Sequence, residues 1–252
     1  YRFRDPIGAG SPHFAISQFE PHPRYFVENA RELLDAPGEW LLDTAAGEVR
    51  YIPREGEQTE SAEVFAPRLE KLLIVQGEPD RPVARLNFTG LIFCHTHVEL
   101  PPHGYAGIQS AFHERRREPD DRQSVSMVAA VSADAARDCQ FTACRFEQLG
   151  GCGLHLQRCG NVIIDQSIFN DIGGDGLLIG SAAEVLPVAQ GNIVTNCLFE
   201  HCGASFFGAV GLWIGYAKDS SIRHNELRSL PYTGISVGWV WAPDPVVSTG
   251  HQ

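Results

Sequence analysis

A repeat of 23 to 30 residues is the feature that most constrains the fold of this chain. Four copies align on one large apolar residue, which is Phe146, Phe169, Phe199 and then Leu227. Each copy continues through a turn to a short strand that begins with glycine, at residues 153–156, 176–179, 211–214 and 234–237. An earlier copy spans residues 88–93. A chain with such a period is expected to fold as a stack of similar coils.

The strands within the copies predict which kind of stack forms. They are three to five residues long, too short for the paired helices of ankyrin or armadillo repeats, and the LxxLxLxxN pattern of leucine-rich repeats is absent. Alternation places Leu154 and Leu156 on one face of their strand, as it does the equivalent residues of later copies. Coils stacked ~4.8 Å apart would join these residues into an apolar column. We predict an all-β fold with a right-handed parallel β-helix over residues 86–252, in which Cys144 and Cys197 are small core residues.

Residues 1–85 lack the repeat and predict a small α+β lobe that leads into the solenoid. Helical spacing of the apolar residues predicts a short helix over 26–34. Two short strands, at 40–43 and 48–52, are predicted to pair as a β-hairpin. Strands are predicted at 63–66 and 72–75, the second entering the β-helix. The charged run 111–123 predicts a solvated loop between coils. Because the chain starts at Tyr1 and ends without a closing element, we expect it to be a fragment of a longer protein.

Composition narrows the possible partners. The formal net charge of −11 argues against nucleic acid or an anionic membrane surface as the main partner. No apolar run reaches the roughly 18 residues of a membrane span. The seven cysteines are odd in number and show no CxxC spacing, which argues against zinc and against a complete disulfide framework.

Polar residues at equivalent positions of successive copies predict ladders on one edge of the solenoid. Two positions after the aligned residue stand Gln148, Asp171, His201 and Ser229; one position after it stand Glu147, Asn170, Glu200 and Arg228. Asp175 follows in the turn of Asp171, so that Asp171, Asp175 and Glu200 are expected to converge. Neighbouring coils would hold such acids at about the ~5 Å carboxyl separation of a retaining glycosidase, and a two-coil separation would approach the ~6.5–9.5 Å of an inverting one. Capping of turns by Asp and Asn is the competing interpretation.

Aromatic residues give a second signal. Trp213 is predicted to point outward between Leu212 and Ile214, where an exposed ring could stack on a sugar. Tyr216, Tyr232, Trp239 and Trp241 follow it; packing under a further coil is an equal alternative for the last two.

A third cluster contains His95, His97 and His103 with Tyr105 and Gln109. Three histidines could bind a metal, but no carboxylate set completes such a site, so we predict a loop that lines a substrate groove. A calcium-dependent lyase would need stacked acids and a basic proton acceptor. Arg223 or Arg228 could serve as that acceptor, so a lyase stays an alternative.

The order of these segments resembles right-handed parallel β-helix glycoside hydrolases, most closely glycoside hydrolase family 141. The resembling stretches lie at 25–30, 38–43, 47–51, 93–96, 101–105, 170–174 and 230–239. The resemblance implies a secreted or periplasmic enzyme acting on plant or microbial polysaccharide, with fucosidase and xylanase activities known in the family. It also implies family-pattern acids at Asp171, Asp175 and Glu226. Such proteins typically continue into a coil with an Asp-Gly-Gly motif, and this chain ends before one.

The sequence therefore predicts a glycoside hydrolase that uses two carboxylates. Asp171 and Asp175 are the first candidates, followed by Glu200 and Glu226; one acid would protonate the glycosidic oxygen and another would attack C1 or activate water. The predicted substrate-binding residues are His95, His97, Tyr105, Gln109, His201, Trp213, Tyr216, His224, Tyr232 and Trp239. No metal or cofactor is predicted. The alternatives are a non-catalytic glycan-binding or structural module and a polysaccharide lyase.

Overall fold

The structure is a computed structural model that describes residues 27–28, 30–100, 105, 107, 109–114, 124–182, 186–238 and 248–252. The chain forms two compact units, one of residues 20–66 and a larger one that contains residues 67–252. Within the described ranges, no helix is long and apolar enough to cross a membrane.

The smaller unit contains the predicted β-hairpin. Strands β1 (Trp40–Asp43) and β2 (Glu48–Tyr51) pair antiparallel, and Gly47 closes their turn with a φ of 68°. The predicted helix over 26–34 is wrong in its described part, which contains a 3-10 turn at Arg31–Leu33. A helix this short is marginal alone, and none of those three residues is buried to stabilise it. A second 3-10 turn spans Thr59–Ser61, and residues 63–66, predicted as a strand, are exposed and form none.

The larger unit is a stack of coils. The first coil contains β3 (Leu73–Gln76), β4 (Val83–Ala84), β5 (Asn87–Thr89) and β6 (Ile92–Thr96). An antiparallel hairpin, β7 (Phe112–Glu114) with β8 (Ser124–Ser126), precedes the second coil of β9 (Ala129–Asp134), β10 (Ala136–Arg137), β11 (Gln140–Thr142) and β12 (Arg145–Leu149). The third contains β13 (Cys152–Gln157), β14 (Ile163–Asp165) and β15 (Ile168–Ile172). The fourth contains β16 (Leu177–Ile179), β17 (Ala189–Gln190), β18 (Ile193–Thr195) and β19 (Leu198–Cys202). The fifth contains β20 (Leu212–Ile214), β21 (Ala217–Lys218), β22 (Ser221–Arg223) and β23 (Glu226–Arg228), and β24 (Ile235–Val237) begins the sixth.

Equivalent strands of successive coils form three parallel sheets. Sheet 1 has the order β3-β9-β13-β16-β20-β24, sheet 2 the order β5-β11-β14-β18-β22, and sheet 3 the order β6-β12-β15-β19-β23. Short pairs, β4 with β10 and β17 with β21, lie between sheets 1 and 2 along each coil. This architecture is a parallel β-helix. Because β3 pairs with β9, the chain joins the sheets before residue 85, the boundary expected from the sequence.

The register of sheet 3 confirms the repeat alignment residue by residue. Phe93, Phe146, Phe169, Phe199 and Leu227 lie opposite one another in consecutive strands. The rings of Phe146 and Phe169 are 4.5 Å apart and those of Phe169 and Phe199 are 4.6 Å apart, in stacked geometry. Each such pair adds about 0.5–1.5 kcal/mol beyond the burial of its apolar surface. The column of Leu154, Leu156 and their equivalents is also buried through Ile214 of the fifth coil, which confirms the predicted alternation there. In the sixth coil, the equivalent Ile235 and Val237 are 39% and 51% exposed.

The chain bends at each corner of the coil through residues of positive φ. Between sheets 2 and 3, equivalent corner positions hold Gly90, Ala143, Gln166, Asn196 and His224, with φ of 52–65°. Asn161, with a φ of 55°, bends the chain before sheet 2 and is followed one coil later by Gly191. Glycine occurs at both corners, so the bend itself needs no particular side chain.

All seven cysteines are free thiols, and six of them are buried, namely Cys139, Cys144, Cys152, Cys159, Cys197 and Cys202. Cys144 is 0% and Cys197 3% exposed, which confirms that both are core residues. Burial raises the pKa of the Cys159 thiol to about 12 and that of Cys197 to about 11, so both stay protonated near neutral pH.

Candidate active site

The residues that lead into β7 cover part of the outer face of sheet 1. We call the described residues Tyr105, Gly107 and 109–112 the covering segment. The ring of Phe112 lies 5.0 Å from the ring of Trp213, and both side chains are buried. Trp213 does point away from Leu212 and Ile214, but its predicted role as an exposed sugar platform is wrong, because it is 0% exposed. The expected solvated loop likewise begins with buried residues, and 115–123 lie outside the described ranges.

Asp175 is a buried acid that holds two separate loops. It lies immediately before the Gly176 that leads into β16, and it is 0% exposed. The hydroxyl of Ser110 donates to its Oδ2 at 3.0 Å, and the backbone N–H of Val210 donates to its Oδ1 at 2.7 Å. Burial raises the pKa of Asp175 to about 7, although both hydrogen bonds act to lower it. Burial therefore favours the neutral form of the Asp175 carboxyl.

The turn that positions Asp175 depends on a glycine. A Cβ atom at Gly173 would lie 2.1 Å from the carbonyl oxygen of Gly150 in the preceding coil. The backbone N–H of Gly173 donates to Leu149, and its carbonyl accepts from the N–H groups of Ser205 and Phe206. These contacts fix the backbone two residues before Asp175 against the neighbouring coils.

Aromatic side chains surround the acid on the side of the covering segment. The ring of Tyr105 lies 4.6 Å from that of Phe206 and 5.7 Å from that of His113. Burial, and secondarily the charges of Asp175 and Cys152, raise the pKa of the Tyr105 phenol, so the phenol stays protonated. At the exposed side of this region, Gln109 donates from Nε2 to the hydroxyl of Tyr232 at 3.0 Å. The structure therefore brings Tyr105, Gln109 and Asp175 into one region, with Tyr232 at its edge.

One of the two predicted ladders is confirmed. In sheet 3, the residues one position after the aligned apolar residue lie opposite one another in successive strands, namely Glu147, Asn170, Glu200 and Arg228. Arg228 donates to Glu200 at 2.8 Å and to Glu226 at 2.9 Å. Its hydrogen bond and charge lower the pKa of Glu200, which makes Glu200 a poor proton donor.

The three acids that were expected to converge lie in different environments. Asp175 is buried, Glu200 is paired with Arg228, and Asp171 is exposed. His201 is next to Asp171 in the ladder, and its Nδ1 lies 3.4 Å from Oδ1 of Asn170.

A groove of about 450 Å³ lies at the corner between sheets 2 and 3. It contains two predicted site residues, His224 and Glu226. The groove belongs to a different corner of the coil from Asp175, which stands at the start of sheet 1. The predicted residues thus fall into separate regions of the surface.

The remaining predicted binding residues with a described position are not part of the groove lining. His95 is half-buried at a corner with a φ of 61°, His97 is exposed, and Tyr216 is half-buried. Trp239, Trp241 and His103 lie outside the described residues. In the described part of the chain, no group of three or more His, Cys, Asp or Glu side chains could hold a metal ion.

Sequence reasoning missed the two groups that bind Asp175. Ser110 lies in a segment without periodicity, and Val210 contributes only its backbone N–H, which no side-chain pattern reveals. The apolar pair Ala111–Phe112 at the start of the charged run was the available signal that this segment packs against the solenoid.

Comparison with known proteins identifies the fold. Residues 129–239 match the family model described as "Right handed beta helix region". The chain is a right-handed parallel β-helix. A solved structure described as "Glycoside hydrolase" is 33% identical, with a TM-score of 0.79, and the match covers 87% of this chain. The chain spans only 42% of that protein's length. No curated protein sequence matches this chain, and the specific resemblance to family 141 stays a prediction.

Proposed function

We propose that this β-helix is part of a glycoside hydrolase that cleaves a polysaccharide or oligosaccharide. The observation that carries the proposal is the 33% identity to a glycoside hydrolase over 87% of this chain, with a TM-score of 0.79. The proposal includes the secreted or periplasmic location that the resemblance to family 141 implies, where such substrates occur.

Asp175 is the proton donor in this proposal. Glycoside hydrolysis needs one carboxylic acid that is still protonated near neutral pH and one carboxylate that is ionised. Burial raises the pKa of Asp175 to about 7, which suits the first role. The acid would donate its proton to the glycosidic oxygen as the bond to C1 breaks. Asp171, exposed and four positions earlier in the same turn, is the proposed partner that attacks C1 or activates water.

Access to Asp175 requires movement of the covering segment. The carboxyl is 0% exposed and accepts a hydrogen bond from Ser110 of that segment. In the proposed reaction, substrate displaces residues 109–112 locally, and Tyr105, Gln109 and Tyr232 are the side chains at the entrance. The same movement would uncover Trp213 as a ring for the sugar to stack on.

The test is hydrolysis of a panel of aryl glycosides and plant polysaccharides by the natural chain and two variants. Asp175→Asn should abolish hydrolysis, because an amide of the same shape cannot donate the proton. Asp138→Asn is the matched control, since it makes the same change at an exposed corner residue and should leave hydrolysis intact. Hydrolysis that survives Asp175→Asn would refute the assignment of the acid.

A non-catalytic glycan-binding module is the second candidate. The observation that favours it is that Asp175 ties Ser110 and Val210 together inside the fold, a role that needs no chemistry. In that case the natural chain binds oligosaccharide from the panel without releasing reducing ends, and Asp175→Asn changes only stability.

A further inference from the structure

The groove between sheets 2 and 3 carries a regular row of polar side chains. Gln166, Asn196 and His224 occupy the same corner position in three successive coils, and all three are exposed. With coils ~4.8 Å apart, the row repeats its polar groups over roughly 10 Å along the solenoid axis. The groove therefore presents a linear surface.

A second row runs beside the first. Ile168, Leu198 and Glu226 lie opposite one another in adjacent strands of sheet 3 and line the same groove. Ile168 and Leu198 are half-buried, so each offers part of an apolar surface next to the polar row. Sugar rings have an apolar C–H face and a rim of hydroxyl groups, and the two rows provide partners for both.

The amide groups of the polar row are held in place. The carboxylate of Asp165 accepts Nε2 of Gln166 at 3.0 Å and Nδ2 of Asn196 at 2.8 Å. Each of these bonds uses one N–H of a group that has two N–H donors and one acceptor oxygen. The second N–H and the oxygen are the atoms that would bind sugar hydroxyls, at a low entropic cost because the amides are already oriented.

The charges of the groove select among glycans. Glu226 is the charged residue of its lining, and its side chain is 63% exposed. The nearby Arg228 is engaged with Glu200 and Glu226. A uronate or sulfated glycan would meet an acidic lining on a chain of formal net charge −11.

We propose that this groove is a binding subsite for an extended, neutral oligosaccharide, separate from the region around Asp175. The inference rests on the proposed function for its ligand class, because a glycan is expected for this chain. The row spans three coils, so binding is expected to strengthen with chain length until about two to three sugars are accommodated.

The experiment measures binding by calorimetry and by ¹H–¹⁵N NMR to β-1,4-linked xylose oligomers of one to six units, with a galacturonate hexamer for comparison. Asp175→Asn protein is used throughout, so that hydrolysis cannot deplete the ligand. Affinity should rise from one to three sugars and then level off, and the xylose hexamer should bind more tightly than the galacturonate hexamer. Amide signals of Gln166, Asn196 and His224 should shift.

Asn196→Gly and His224→Ala should each weaken binding of the hexamer about three- to tenfold. Asn161→Gly is the matched control: Asn161 is also an exposed corner residue whose amide binds an aspartate of the preceding coil, Asp138, at 3.0 Å. Glycine occupies both corners in other coils, so neither glycine variant strains the backbone.

Equal weakening by Asn161→Gly, no hexamer binding, or tighter binding of galacturonate would overturn the proposal. These readouts are independent of catalysis. If the natural chain hydrolyses no glycan but the groove binds the hexamer, only the proposed function is refuted. If the natural chain hydrolyses a glycan but the groove binds no hexamer, only the groove proposal is refuted.

Discussion

Asp175 should make the stability of this chain depend on pH in a way that one substitution removes. Burial raises the pKa of its carboxyl from 3.8 to about 7, whereas the unfolded chain restores the ordinary value. The folded state therefore binds the proton more tightly than the unfolded state. The contribution of the neutral acid to stability is fully present below pH 3.8 and is lost as the pH rises to about 7. A difference of about three pH units corresponds to about 4 kcal/mol.

The measurement is urea unfolding of the natural chain and of Asp175→Asn from pH 5 to pH 8. Asparagine keeps an oxygen for the N–H of Val210 and places its NH₂ beside the Ser110 hydroxyl, but it cannot ionise. The unfolding free energy of the natural chain, minus that of the variant, should fall by about 2 kcal/mol between pH 5 and pH 7 and level off by pH 8. Other titrating groups are common to both proteins and cancel. A difference that stays constant across this range would refute the burial argument.

Two further substitutions test the packing. Phe112→Ala should cost about 3–5 kcal/mol of unfolding free energy and shift Trp fluorescence to longer wavelength, because Phe112 covers Trp213; an unshifted spectrum would contradict that contact. Gly173→Ala should lower the midpoint of thermal unfolding and reduce the unfolding free energy by about 1–3 kcal/mol, because the new methyl group would lie 2.1 Å from the Gly150 carbonyl oxygen. A variant as stable as the natural chain would show that the coils can separate there.

The coil array was predictable because its signal is repeated. The alignment of Phe146, Phe169, Phe199 and Leu227 found the register of sheet 3, since each copy must place one large apolar side chain at the same point of the core. The alternation around Leu154 found the inward face of sheet 1 for the same reason.

The candidate site was harder to predict because it depends on contacts that occur once. Alternation correctly turned Trp213 away from the core, but no periodic pattern indicated that Phe112, about a hundred residues earlier, covers it. The turn of Asp171 and Asp175 was recognised from its acids. Their different environments follow from Ser110 and Val210, which belong to insertions without a repeat.

The buried cysteines give this protein its own set of chemical reporters. Cys139 and Cys144 lie in the second coil, Cys152 and Cys159 in the third, and Cys197 and Cys202 in the fourth. Because burial raises the pKa of thiols such as Cys159 and Cys197, a thiol reagent can modify them only when the surrounding coil opens. The rate at which each cysteine is modified, read by mass spectrometry, would therefore give the opening free energy of one coil at a time along the solenoid.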